Sequence, residues 1–91
     1  MTWKVTFTRK GAKQAKKLPK EVRQRLVRLL TELETIGPVR GNWKNYSKLE
    51  GNKHHCHIKS GKPTYVVCWE VYKSEIKIEV YYAGSHEKAP Y

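Results

Sequence analysis

Three segments in the second half of the chain, residues 53–59, 64–71 and 75–82, are separated by only a few residues each. Strands joined so tightly pair as antiparallel neighbours, because a parallel crossover needs about a dozen residues or more. The segments read KHHCHIK, TYVVCWEV and EIKIEVYY. In the third, Ile76, Ile78, Val80 and Tyr82 fall on one face; in the second, Tyr65, Val67, Trp69 and Val71 do. Alternation with period two makes each set the side packed on a core. In the first, Cys56 and Ile58 are the apolar pair. His55, His57 and Lys59 then share the opposite, open face with Val66, Cys68 and Glu70. Cys56 and Cys68 face opposite sides, which argues against a cross-strand disulfide.

The first half supplies the layer that covers this sheet. Residues 3–8, WKVTFT, alternate as a half-buried strand. Thr8 can cap a short helix over 9–17, with Ala12 and Ala15 inward and Gly11 weakening it. Pro19 suits the first turn of a second helix. Val22, Leu26, Leu29, Leu30, Leu33 and Ile36 then form one helical stripe, closed by Gly37-Pro38. Residues 38–52 are turn-rich, with a short strand around Lys48. The order β-α-α-β-β-β predicts a two-layer α+β domain spanning 1–91. In it, the N-terminal strand and two helices pack on a twisted antiparallel sheet.

Charge narrows the function. The 91 residues carry a net +11, and residues 1–31 alone hold ten Lys or Arg and one Glu. A domain this basic and this uneven reads as a nucleic-acid binder, the plain alternative being a merely soluble basic helix face. Lys10, Lys13, Lys16, Lys17, Lys20, Arg23, Arg25 and Arg28 form a phosphate-tracking surface that carries affinity without sequence selectivity. Arg40 and Lys44 extend it through a loop that also holds Trp43 and Tyr46. These aromatics either stack on unpaired bases or pin the loop to the core. No apolar run approaches the ~20 residues of a membrane span. The N-terminus begins as a strand, not a signal peptide, so a reducing cytoplasm is expected, with two inert thiols.

Residues 54–57, His-His-Cys-His, invite a metal reading. On a strand, however, only His55 and His57 share a face, and His86 would have to be the third ligand, so no metal or other cofactor is assigned. Acid–base chemistry suits the set better. Cleavage of RNA by its own 2′-hydroxyl needs a base, an acid and cations around the phosphorane. His57 and His86 are suitable titrating groups, the latter if the C-terminal segment folds back across the open face. Lys59 is a suitable cation, and His55 an RNA contact.

Taken together, WKVTFT, the Leu-Pro break between the helices, KLEGNKHHCHIKSGKPTYVVCWEV and the ending IKIEVYYAGSHEKAPY resemble the RelE/ParE superfamily of small bacterial toxins. The resemblance covers nearly the whole chain. It implies a RelE-like fold and a ribosome-dependent mRNA endonuclease held inactive by an antitoxin. Cleavage would need no metal and leave a 2′,3′-cyclic phosphate. By position, His57 and Lys59 match the basic pair at the scissile phosphate. His86 matches the Arg or His after the final strand, and Tyr91 the terminal aromatic that orients the mRNA. The Cys-His-Ile run is similar to the YafQ-like branch. Val66 stands where RelE-like members often carry Arg, and Ser60-Gly61-Lys62 lacks that branch's carboxylate. The same superfamily includes ParE-type gyrase inhibitors without catalysis, and a non-catalytic RNA-binding module is a further alternative.

Overall fold

The computed structural model describes residues 2–91. Strand β1 (Lys4–Phe7) leads into helices α1 (Arg9–Lys16) and α2 (Lys20–Thr35). Strands β2 (Lys44–Lys48), β3 (Lys53–Lys59), β4 (Tyr65–Tyr72) and β5 (Lys77–Ser85) follow, with short 3-10 turns at Lys73–Glu75 and His86–Lys88. The five strands form one sheet in the order β1-β5-β4-β3-β2. The α+β architecture and the β-α-α-β-β-β order are as expected, and β2 is the short strand foreseen near Lys48. One pairing differs. β1 runs parallel to β5, with Val5 opposite Ile78, so the sheet is mixed rather than wholly antiparallel. The two helices between β1 and the rest of the sheet free it from hairpin geometry.

Local chemistry starts each helix. The Thr8 hydroxyl accepts the Gly11 N–H at 3.0 Å, capping α1. Pro19 stands at the N-cap of α2 without a side-chain cap, its carbonyl accepting the Arg23 N–H at 2.9 Å, and Gly37 ends the helix at φ 131°, a left-handed conformation that glycine adopts at no steric cost. The inward stripe of α2 is Val22, Leu26, Leu29 and Leu33, all buried. It meets Cys56, Ile58, Val67, Trp69, Val71, Ile78, Val80 and Ala83 from the sheet. Ile36, expected in the stripe, is 64% exposed, because α2 is already ending there.

Gly11 has a packing reason that its low helix propensity conceals. A Cβ built there would lie 2.6 Å from the Val80 carbonyl oxygen, so α1 rests its backbone almost on β5. Gly11→Ala is therefore expected to destabilise the protein by about 1–3 kcal/mol despite alanine's better propensity. That is a fall in Tm of roughly 5–15 °C in a thermal melt, and an unchanged melt would contradict the packing argument.

Two bulges alter the faces expected on the sheet. Between β4 and β5, Cys68 pairs with Tyr82 but Trp69 with Val80, so Tyr81 is an extra residue. The alternation changes phase there. Tyr82 consequently leaves the helix side and joins Val66 and Cys68 in a second buried cluster on the far face, with Ala89 against it. Ile76 is not a strand residue at all; it follows the 3-10 turn with φ 49° and is partly exposed. Between β3 and β4 a second irregularity falls at Ile58. Cys56 and Cys68 lie in different clusters on opposite sides of the sheet, both as free, buried thiols. Burial pushes each thiol up to about 12, so neither is a nucleophile near neutral pH.

Candidate active site

On the face away from the helices, β3 presents His55 and His57. Register places His55 opposite Cys68 and His57 opposite both Val66 of β4 and Lys44 of β2. β5 runs beside β4 as far as Ser85, which pairs with Tyr65. The His86 N–H then donates to the Thr64 carbonyl at 2.8 Å, which turns the chain back over the sheet. This bond seats the His86 ring with its centroid 5.3 Å from that of His57, the planes crossing at 64°. The tail ends with the Tyr91 ring 4.2 Å from His55 and 6.1 Å from His86. His57, His86 and Tyr91, singled out from the sequence, therefore come together, and the fold-back of the C-terminal segment is what unites them.

Electrostatics separate the two rings. His57 is partly buried, and His86 is exposed. Burial first, then the proximity of His86, His55 and Lys44, holds His57 below the usual histidine value. Its neutral form, with one ring nitrogen free to accept a proton, is favoured near pH 7. Burial pushes the Tyr91 phenol up to about 12, so it remains a donor.

Three candidate residues take other positions than expected. The irregularity at Ile58 pairs Lys59 with Tyr65, whose ring packs on the core. Lys59 thus turns to the helix side, where its Nζ lies 3.5 Å from a Glu21 carboxylate oxygen. It does not share a face with His55 and His57. Lys44, placed directly opposite His57, is the cation beside the pair. His55 is only 7% exposed. The Tyr91 ring packs against it, and its Nδ1 is 3.1 Å from the Ser47 hydroxyl. It positions neighbours and offers an incoming strand almost no surface. Arg40 is also buried. Its Nε donates to the Gly37 carbonyl and its Nη1 to Glu32 at 3.1 Å. It organises the loop and is not free for a phosphate.

Sequence reasoning missed the residue that holds this loop. Glu32 Oε1 accepts from Arg40, from the Asn42 amide at 2.9 Å and from the Trp43 indole at 2.8 Å. Oε2 accepts from Arg28 at 3.3 Å. Burial alone would raise this carboxyl; the four donors outweigh it and hold it at about 2. Trp43 therefore pins the loop to α2. Tyr46 is equally structural, with its hydroxyl 2.7 Å from His54 Nδ1 and its ring stacked with His54 and Trp69. The Lys and Arg residues of α1 and α2 named above remain exposed. Among the described residues, no group of three His, Cys, Asp or Glu side chains is placed to hold a metal ion.

Comparisons with known proteins bear on the fold that carries this arrangement. No family model matches the chain, and no curated protein matches its sequence. Solved structures do. The RelE–RelB complex of Pyrococcus horikoshii OT3 contains a chain 22% identical, with TM-score 0.79 over 98% of this chain and 100% of that one. The Escherichia coli RelBE toxin–antitoxin complex matches at TM-score 0.75 and 22% identity, over 94% and 99%. A metal-bound toxin from Helicobacter pylori matches at TM-score 0.69 and 20% identity, over 97% and 98%. The matches span nearly the whole chain, which has the fold of the RelE toxins.

Proposed function

We propose that this chain is the toxin component of a toxin–antitoxin system, a metal-independent endoribonuclease that cuts mRNA on the ribosome. The observation that carries the reading is the His57–His86 pair, two imidazoles 5.3 Å apart on a strongly basic protein. Their spacing lets one ring nitrogen reach a 2′-hydroxyl and the other the 5′-oxygen of the same phosphodiester, each within about 3 Å. His57, held in its neutral form, takes the 2′ proton. The 2′-oxygen attacks phosphorus, and the P–O5′ bond breaks as His86 delivers a proton to the leaving oxygen. The products are a 2′,3′-cyclic phosphate and a 5′-hydroxyl. Lys44 stabilises the charge that develops between them, and the Tyr91 hydroxyl and ring orient the strand.

The exposed cations of α1 and α2 suit docking on ribosomal RNA. An antitoxin partner is supported by the RelB-bound neighbours and by Val27, Ile36 and Val39, large apolar side chains left exposed on and after α2. Action in the cytoplasm follows from the ribosomal target; among the described residues, no helix is long and apolar enough to cross a membrane.

Primer extension on a defined mRNA, with and without programmed ribosomes, tests the reading. Discrete cuts that need the ribosome are expected. Cuts on naked RNA alone would make it a free ribonuclease. One observation favours a second reading: Val66 is fully buried beneath Tyr82, at a place where a basic side chain would serve catalysis. An absence of cuts beside an active control toxin would move the assignment to pure binding, of RNA or of gyrase.

The pH dependence supplies a further check. The acid limb of kcat/KM should have its midpoint below 6.5, because His57 must be neutral to act as base and its folded value is lowered. Lys44→Ala removes one cause of that lowering and should move the limb upward, towards the ordinary histidine value. A limb unmoved by Lys44→Ala would dissociate Lys44 from the base.

A further inference from the structure

Beside His57, along the edge formed by β2 and β3, lies a cleft of about 240 Å³. Arg25 and Arg28 of α2, Lys44 of β2, and His57, Lys59 and Ser60 border it. Two backbone irregularities shape it. The β2–β3 register breaks between Lys44 and Ser47, where Asn45 sits at φ 55°, and the β3–β4 register breaks at Ile58. The second of these turns Lys59 out of the His57 face and towards Arg25.

The charges bordering this cleft are poorly neutralised. The Arg25 guanidinium and the Lys59 ammonium each lie 3.5 Å from a different oxygen of the same Glu21 carboxylate, which is 60% exposed. Such long, solvated pairs contribute little stability. Arg28 shares Glu32 with Arg40, and Lys44 makes no ion pair among the described residues. Four cations thus face an opening beside one loosely held carboxylate. A tetrahedral oxyanion fits there better than a carboxylate does, since guanidinium forks and ammonium groups converge on it from several directions.

We infer that this cleft is a second phosphate subsite, for the phosphate of a nucleotide flanking the scissile bond. The Glu21 carboxylate engages two of its cations until the phosphate displaces it. The inference rests on the proposal that an RNA strand lies across His57 and His86. It extends that proposal by running the strand off the face at the β2–β3 edge, towards α2.

The probes are three 2′-O-methyl diuridine nucleotides, which no 2′-hydroxyl chemistry can cleave: unphosphorylated, 5′-phosphorylated and 3′-phosphorylated. Binding is read from amide shifts in an NMR titration, which also reports whether each variant is folded. At least one phosphorylated form should bind roughly 5- to 20-fold tighter than the plain dinucleotide. Lys44→Ala with Lys59→Ala should abolish that gain, and Glu21→Gln should increase it. Lys4→Ala with Lys73→Ala, two lysines outside the residues that border the cleft, should leave it intact. Equal affinity for the three forms would overturn the subsite, as would an equal loss in the Lys4/Lys73 variant. Because the probes are not cleaved, a positive result stands even if the protein proves not to be a nuclease. A negative result likewise leaves the cleavage assay untouched.

Discussion

Replacing His57 or His86 with alanine is expected to lower the cleavage rate by roughly 10²- to 10⁴-fold while leaving the fold intact. Each ring supplies a proton transfer that water performs poorly at neutral pH. Neither ring fills a core cluster, so the loss should be one of rate and not of folded protein. The double variant should fall by much less than the product of the single losses, since two groups acting on one step are not independent. Single-turnover cleavage, with circular dichroism on each variant, checks this. Full activity in the double variant would remove both histidines from the chemistry.

The largest effect on stability is expected at Glu32. Its carboxylate accepts from Arg28, Arg40, Asn42 and Trp43, joining the loop after α2 to the helix. Glu32→Ala would leave the Arg40 guanidinium, with its side chain only 10% exposed, without its counter-ion. Removing one partner of such a pair costs about 3–5 kcal/mol, mostly from the stranded charge. Denaturant unfolding measures it, and a change below about 1 kcal/mol would contradict the account. Acid should act through the same group. Its folded value is depressed to about 2, so its contribution is complete above the ordinary value of 4.5. That contribution, on the order of 2–3 kcal/mol, is lost as pH falls from there towards 2.

The fold was legible where periodicity is strong. The α2 stripe from Val22 to Leu33 and the alternation of β4 identify the faces turned to the helix-side core, and tight turns impose the β3-β4-β5 order; Val66 and Cys68, expected on an open face of β4, are buried there under Tyr82. The parallel pairing of β1 with β5 was hidden, because it joins the two ends of the chain and leaves no local mark. The faces of Tyr82 and Lys59 were hidden for a different reason. One extra residue shifts every side chain beyond it to the other side, and a bulge has no signature in a run such as HCHIK or EVYYA. In the site, the approach of His86 to His57 could be anticipated from a segment that leaves the last strand beside an open sheet face and can fold back across it. The burial of His55 beneath Tyr91 and of Arg40 against Glu32 depends on partners eight or more residues away. Arg40 and Lys44 read alike in sequence. Only the packing of the loop makes one a structural residue and leaves the other facing His57.

The chemistry of the RNA ends tests the central claim most directly. Message cut by the purified protein on programmed ribosomes should carry a 2′,3′-cyclic phosphate on the upstream fragment and a 5′-hydroxyl on the downstream one. Those ends arise only if the 2′-hydroxyl is the nucleophile, the role His57 and His86 are placed to assist. A 5′-phosphate beside an unmodified 3′-hydroxyl would mean that water attacked instead, and would contradict the account.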